Sequence, residues 1–189
     1  MSRAYCNFQL KLYDVAISDY TRAIALDNHD AALYVNRANA EYNLGKYEDA
    51  LLDYQKAIEI DPQYQSVFFS IGNCYSKLEN YKDAIKYLSR AIVANPKYYP
   101  AYVSRGIAFL RIKYSNKALE DFTLALEIKP DLPQAYLNRA LAFRSQNRLE
   151  EAAKDFIDYL LLTPIANKHT NQIKLWLKKN GFPYNVQGD

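Results

Sequence analysis

AALYVNRANAEYNLGKYEDALLDYQKAIEIDPQY, residues 31–64, is matched in register by QSVFFSIGNCYSKLENYKDAIKYLSRAIVANPKY (65–98), YPAYVSRGIAFLRIKYSNKALEDFTLALEIKPDL (99–132) and PQAYLNRALAFRSQNRLEEAAKDFIDYLLLTPIA (133–166). Alanines recur at Ala16, Ala50, Ala84, Ala118 and Ala152, each 34 residues after the last. A second series, Ala23, Ala57, Ala91 and Ala125, and a third, Pro62, Pro96, Pro130 and Pro164, keep the same step. Three series in phase define a structural repeat, and its interval suits one supersecondary unit per repeat.

Within each block, apolar residues recur twice at helical spacing around a polar turn such as Leu44, Gly45 and Lys46, which predicts two antiparallel helices. Small residues at Ala38 and Ala50 let the two helices approach, and Tyr34, Tyr47 and Tyr54 fill the space between pairs. The proline ends the second helix and turns the chain into the next block. One such hairpin cannot bury its apolar face alone, so stability must come from stacking neighbours. With only five glycines and seven prolines, the chain favours long helices with short connections.

The 34-residue period, the aromatic at Tyr34, Phe68, Tyr102 and Tyr136, the small residue at Ala38, Gly72, Gly106 and Ala140, and the closing proline closely resemble the tetratricopeptide repeat. The resemblance covers residues 1 to about 166 and implies an all-α fold: a right-handed superhelical α-solenoid of antiparallel helix hairpins. The expected organisation is a truncated first repeat (1–30), four full repeats (31–64, 65–98, 99–132, 133–166), a capping helix over 167–181 and a tail over 182–189. In the first repeat Met1 falls at the fifth position and Asn28 stands in the proline's place, so either the natural chain begins abruptly or a longer array precedes it. In the last repeat Tyr159 replaces the second small alanine, which predicts an unusual neighbour. The segment NKHTNQIKLWLKKNGFPYN supplies one: Ile173, Trp176 and Leu177 share a helical face, and Gly181 and Pro183 give a stop signal. Trp176 is expected to seal the array against the second helix of the fifth hairpin, near Tyr159.

Charge adds a second pattern. Arg3, Arg37, Arg105 and Arg139 share one repeat position, and Asp19, Asp53, Asp121 and Asp155 follow sixteen residues later. The third repeat loses both members together, becoming Ile71 and Tyr87, and paired loss predicts paired contact between the helices of each hairpin. Cys6 and Cys74 occupy the same position in the first and third hairpins; they are read as small buried hydrophobes too far apart to bridge.

Several function classes are argued against. The formal charge is +3 with no Lys/Arg block, which speaks against nucleic acid. No run approaches the roughly 20 apolar residues of a membrane span, and MSRAYCNFQLKLYD lacks an apolar leader, so a cytoplasmic protein without membrane contact is expected. His29 and His169 have no acidic or cysteine partner at metal-ligand spacing, and no cofactor or metal is expected. There is no Gly-rich phosphate loop and no activated nucleophile, and Glu150 and Glu151 read as a solvated helix face, so the chain is not expected to be an enzyme.

The resemblance implies a non-catalytic scaffold or adaptor, in which the first helices of successive hairpins line a concave groove for a protein or peptide. Carried over repeat by repeat, its groove positions are Val35, Asn36, Asn39, Tyr42 and Asn43; Phe69, Ser70, Asn73, Ser76 and Lys77; Val103, Ser104, Ile107, Leu110 and Arg111; and Leu137, Asn138, Leu141, Arg144 and Ser145. Asparagine amides can both donate to and accept from an extended backbone. No Asp or Glu falls at these positions while Lys77, Arg111 and Arg144 do, which points to a neutral or acidic ligand. A clamp for chaperone C-terminal carboxylates is argued against, because the lysines it needs before Asn39 and Asn73 are Val35 and Phe69 here. An alternative is a self-association module, a homo-oligomer stacked through the open N-terminal edge.

Overall fold

The computed structural model describes residues 3–163 and 168–182, and among them every regular element is a helix. Five antiparallel pairs follow in order: α1 (Arg3–Gln9) with α2 (Tyr13–Leu26), α3 (Ala31–Asn43) with α4 (Tyr47–Ile60), α5 (Val67–Lys77) with α6 (Tyr81–Ala94), α7 (Tyr99–Arg111) with α8 (Ser115–Ile128), and α9 (Pro133–Ser145) with α10 (Leu149–Leu162). A last helix, α11 (Lys168–Lys179), packs on α10. The chain divides into two compact units, Met1–Pro96 and Lys97–Asp189. In the first, α2 stacks on α3 and α4 on α5; in the second, α8 stacks on α9.

The turn inside each hairpin is built alike. Lys11, Gly45, Glu79, Lys113 and Asn147 stand at one repeat position, and all have positive φ, between 57° and 79°. The residue after each donates its N–H to a carbonyl five residues back, as in Lys46 N to Glu41 O at 2.9 Å and Tyr114 N to Phe109 O at 2.8 Å. This 6→1 bond closes the C-terminus of a helix around a left-handed residue, a conformation only Gly45 adopts without steric cost. Between hairpins, Asp61, Asn95 and Lys129 precede a proline and are extended, with ψ near 93–101°. Asp27 has the same geometry before Asn28, so stacking sets this corner even without the proline. Pro164 lies outside the described residues.

Small residues hold the hairpins tight. Ala38, Ala50, Ala84, Ala118, Ala140 and Ala152 are fully buried. A Cβ on Gly72 would meet Leu88 Cγ at 2.6 Å, and one on Gly106 would meet Phe122 Cε1 at 2.7 Å, so the larger residue on the second helix of the hairpin claims the space. Tyr54 and Phe122 fill the interior, and Tyr34 is buried with them.

The paired charges meet as the sequence predicts. Arg37 Nε and Nη2 donate to the two carboxylate oxygens of Asp53 at 2.6 and 2.8 Å, Arg105 reaches Asp121 at 2.8 and 2.7 Å, and Arg139 reaches Asp155 at 2.7 and 2.8 Å. Arg3 holds Asp19 by the same fork, one arm at 2.9 Å. Arg37 and Arg139 also donate to Thr21 (3.0 Å) and Thr123 (3.1 Å) of the preceding hairpin, so each bridge ties stacked neighbours as well. In α5 and α6 the same place is apolar: Ile71 is fully buried and Tyr87 stacks on Tyr75 with centroids 5.5 Å apart.

Glu41 shares the Arg37 site at a cost. It is buried, its Oε1 is 4.0 Å from Arg37 Nε, and its Oε2 has no hydrogen-bond partner. Burial, and then the neighbouring Asp53 carboxylate, push its pKa from the ordinary 4.5 up to about 7 against the pull of Arg37. Between these values the folded chain holds a proton that the unfolded chain has released, so stability falls as pH rises toward 7. Glu41→Gln is expected to stabilise the protein by roughly 2 kcal/mol at pH 8, with most of that gain gone at pH 5. Urea titrations at the two pH values check this, and an equal effect at both would show that Glu41 is not charged at a cost.

Two expectations are corrected. Both cysteines are free, but only Cys74 is buried, its thiol pushed up to about 12 by desolvation, whereas Cys6 is exposed. Ala40, Cys74, Ala108 and Ala142 at the same position are buried; Ala40 lies in one cluster with Ala16 and Tyr20 of the preceding hairpin, a neighbour that α1 lacks among the described residues. At the other end, Trp176 packs on the α10 cluster of Phe156 and Tyr159 as expected, but it is only half-buried. Its ring meets Phe156 edge-on at 5.1 Å, while Tyr159 meets His169 at 6.1 Å; Ile173 and Leu177 are the residues that α11 inserts against α10.

Candidate functional site

In the first unit α1, α3 and α5 enclose a depression of about 240 Å³. It is lined by Phe8, Asn39, Tyr42, Asn43, Tyr54, Phe69, Ser70 and Asn73. Helix packing explains its walls: Tyr42 stands edge-on to Tyr47 at 5.3 Å, and Phe8 to Tyr13 at 5.6 Å, so each aromatic is braced by the start of its own second helix. The floor is Tyr54 of α4, whose buried hydroxyl donates to Asn39 Oδ1 at 2.6 Å. Burial pushes that hydroxyl well above its ordinary range, so it remains a neutral donor.

The amides are thereby unequal. Asn39 has its carbonyl committed to Tyr54 and keeps Nδ2; Asn43 commits Nδ2 to the Asn39 backbone carbonyl at 2.7 Å and keeps its carbonyl. Ser70 is half-buried and shares a hydrogen bond with the Tyr54 hydroxyl, and Asn73, also half-buried, lines the depression beside it. Ser76 caps inward onto the Gly72 carbonyl at 3.0 Å. Val35 packs against the cluster of Ala31, Tyr34 and Ala57; Asn36 is half-buried beside it, outside the depression; and Lys77 is exposed at the end of α5.

In the second unit Val103, Ser104, Ile107 and Leu110 are half-buried along α7, and Arg111 is exposed in its last turn. Leu137 departs from expectation: it is 7% exposed and belongs to the apolar cluster that includes Phe156, Ile173 and Leu177, so it serves the core. Leu141 packs on the same cluster. Asn138 is half-buried with its Nδ2 enclosed and unpartnered, and Arg144 extends over Phe156 at 6.0 Å. Ser145 turns back to the Ala142 carbonyl at 2.7 Å.

Phe8 and Tyr54 were absent from the expected set. Phe8 was findable, since it holds in the first repeat the position of Tyr42 in the second. Tyr54 belongs by pattern to the core series Tyr20, Tyr54, Leu88, Phe122 and Phe156, and only its hydroxyl reaches the surface side. No group of three or more His, Cys, Asp or Glu side chains among the described residues could hold a metal ion, and no helix among them is long and apolar enough to cross a membrane.

Family models described as TPR repeat and tetratricopeptide repeat match residues 38–79, 66–98 and 115–168, together more than half of the chain. The chain belongs to the tetratricopeptide repeat family. Among solved structures, that titled Crystal structure of MamA shares 23% identity at TM-score 0.81, over 86% of this chain and 95% of that one. MamA 41-end from Desulfovibrio magneticus RS-1 shares 19% at TM-score 0.81, over 84% and 90%. YrrB, titled as a TPR protein with an unusual peptide-binding site, shares 23% at TM-score 0.77, over 93% and 88%. At such identities the likeness is one of tetratricopeptide fold. No curated protein matches the chain.

Proposed function

We propose that this tetratricopeptide protein is a non-catalytic scaffold that holds an extended, neutral or acidic peptide segment along its first-helix faces. The observation that carries the reading is the depression between α1, α3 and α5. It combines aromatic walls from Phe8, Tyr42 and Phe69 with polar groups left over at Asn39, Asn43 and Asn73. Equivalent positions on stacked helices recur every ~10 Å, about three residues of extended chain, so amides there can grip a backbone without reading its side chains. Lys77 supplies an exposed positive charge at the end of α5; Arg111 and Arg144 stand in the corresponding place on α7 and α9. Selection from a random peptide library should yield ligands whose binding falls by roughly fivefold with Asn73→Ala, the worth of one hydrogen bond, and further with Phe69→Ala. Asn39→Ala is a poorer test because it also removes the acceptor of the Tyr54 hydroxyl. Selected peptides that bind the Asn73→Ala, Phe69→Ala double variant undiminished would remove the depression from consideration. A second reading, stacking of two copies through α1, draws support from the exposed Cys6; a stoichiometric dimer by light scattering would favour it.

A further inference from the structure

The third hairpin lacks the internal Arg–Asp pair and carries its guanidinium elsewhere. Arg90, on α6, lies over Phe68 with its Cζ 3.9 Å from the ring centroid and 5.5 Å from that of Tyr87, and Lys86 Nζ sits 5.8 Å from the Tyr87 ring. Lys82, Lys86 and Arg90 follow at steps of four, all exposed, forming a ridge of three positive charges about 6 Å apart. No other second helix has this: the same positions read Asp14, Ser18, Arg22 on α2, Glu48, Leu52, Lys56 on α4, Asn116, Glu120, Leu124 on α8 and Glu150, Lys154, Asp158 on α10. Nor is the ridge neutralised from within. Lys56, at the Arg90 position of α4, pairs with Glu59 at 3.0 Å, whereas the residue corresponding to Glu59 on α6 is Val93, 81% exposed. Asp83, the acid on α6, accepts from Asn80 at 2.7 Å.

Beside Arg90 lies a cleft of about 500 Å³ between the start of α5 and the end of α6, lined by Gln65, Phe68, Ser89, Arg90, Val93 and Ala94. We infer that this edge of α6, away from the first-helix depression, is a second docking surface, and that it takes an acidic helical segment of another protein. Carboxylates at i, i+4 and i+8 on such a helix stand about 6 Å apart and match the ridge charge for charge. A guanidinium already held over an aromatic ring loses little freedom when it takes a carboxylate. The cleft adds room for one aliphatic side chain against Val93 and Phe68, a feature that a polyphosphate or lipid headgroup would not use. A ridge of three charges on a chain of net +3 is also too small for a nucleic-acid footprint.

The test uses the full chain and a fluorescent, Ala-rich helical peptide with Glu at i, i+4 and i+8 and Leu on the adjoining face. Its Glu→Gln counterpart, a DNA duplex and phosphatidylserine vesicles serve as competitors. The acidic peptide is expected to bind, with Arg90→Gln weakening it about fivefold to tenfold and Lys86→Glu with Arg90→Glu abolishing it. Asn73→Ala, in the first-helix depression, should leave this binding unchanged, so loss of either surface is read separately. These side chains are exposed, and an unchanged melting temperature confirms that each variant is folded. Absence of binding, equal binding of the Gln peptide, or less than a twofold effect of the double reversal overturns the proposal. Tighter binding of DNA or vesicles than of the peptide overturns it in favour of a general polyanion site.

Discussion

Asp155→Ala is expected to destabilise the second unit by about 3 kcal/mol, read as a lower urea midpoint and earlier exchange of α9 and α10 amides. Asp155 is 2% exposed and accepts both arms of the Arg139 fork, while Arg139 keeps one further bond, to Thr123. Removing the carboxylate leaves a mostly buried guanidinium with a hydroxyl in place of a counterion, and a stranded buried charge costs more than the pair contributes. Replacing both partners by apolar residues, as Arg139→Met with Asp155→Leu, should therefore cost less than either single change. The third hairpin is a natural instance, with Ile71 and Tyr87 packed where its neighbours hold an ion pair. Arg139→Lys should retain only part of the stability, because an ammonium cannot span both carboxylate oxygens. A single variant that melts like the parent would mean that the bridge is a surface pair of little worth.

That bridge was legible in the sequence because it is a coincidence repeated: Arg and Asp appear together four times and vanish together once. Register carries information wherever a position faces the same surroundings in every hairpin, as Ala50 and its equivalents do. It fails where the surroundings change. Cys6 shares the register of Cys74 but is exposed, with no preceding hairpin among the described residues, and Leu137 shares the register of Phe69 but is drawn into the cluster completed by α11. The unequal state of the asparagines was also illegible, because it depends on Tyr54 reaching through from α4 to take the Asn39 carbonyl. The basic ridge of α6 was written in the sequence as Lys82, Lys86 and Arg90, but it lay on the polar face, where periodic apolar patterns direct no attention. Its significance needed the absence of a partner, and absence is visible only when Phe68, Val93 and Glu59 can be compared in space.

Leu177→Ala is expected to cost about 3 kcal/mol and to act first on the C-terminal hairpin. Leu177 is fully buried and Ile173 nearly so, in one cluster with Phe156, Tyr159 and Leu160 of α10. Trp176 lies at the rim, edge-on to Phe156 and stacked with Phe182 at 6.3 Å. Truncating a buried leucine removes its transfer energy and leaves a cavity, whereas a half-exposed indole loses only its packed face, so Trp176→Ala should cost less, about 2 kcal/mol. Residues on the outer side of α11, among them Lys174, Leu175 and Lys178, are exposed. Repeat proteins open locally from their ends, so hydrogen exchange should rise in residues 149–180 while α3–α6 keep their protection. Exchange that rises uniformly along the chain would mean that the hairpins unfold as one cooperative body. An unchanged profile would mean that α11 rests on α10 without stabilising it, leaving the face of Tyr159 and Leu160 available for another occupant.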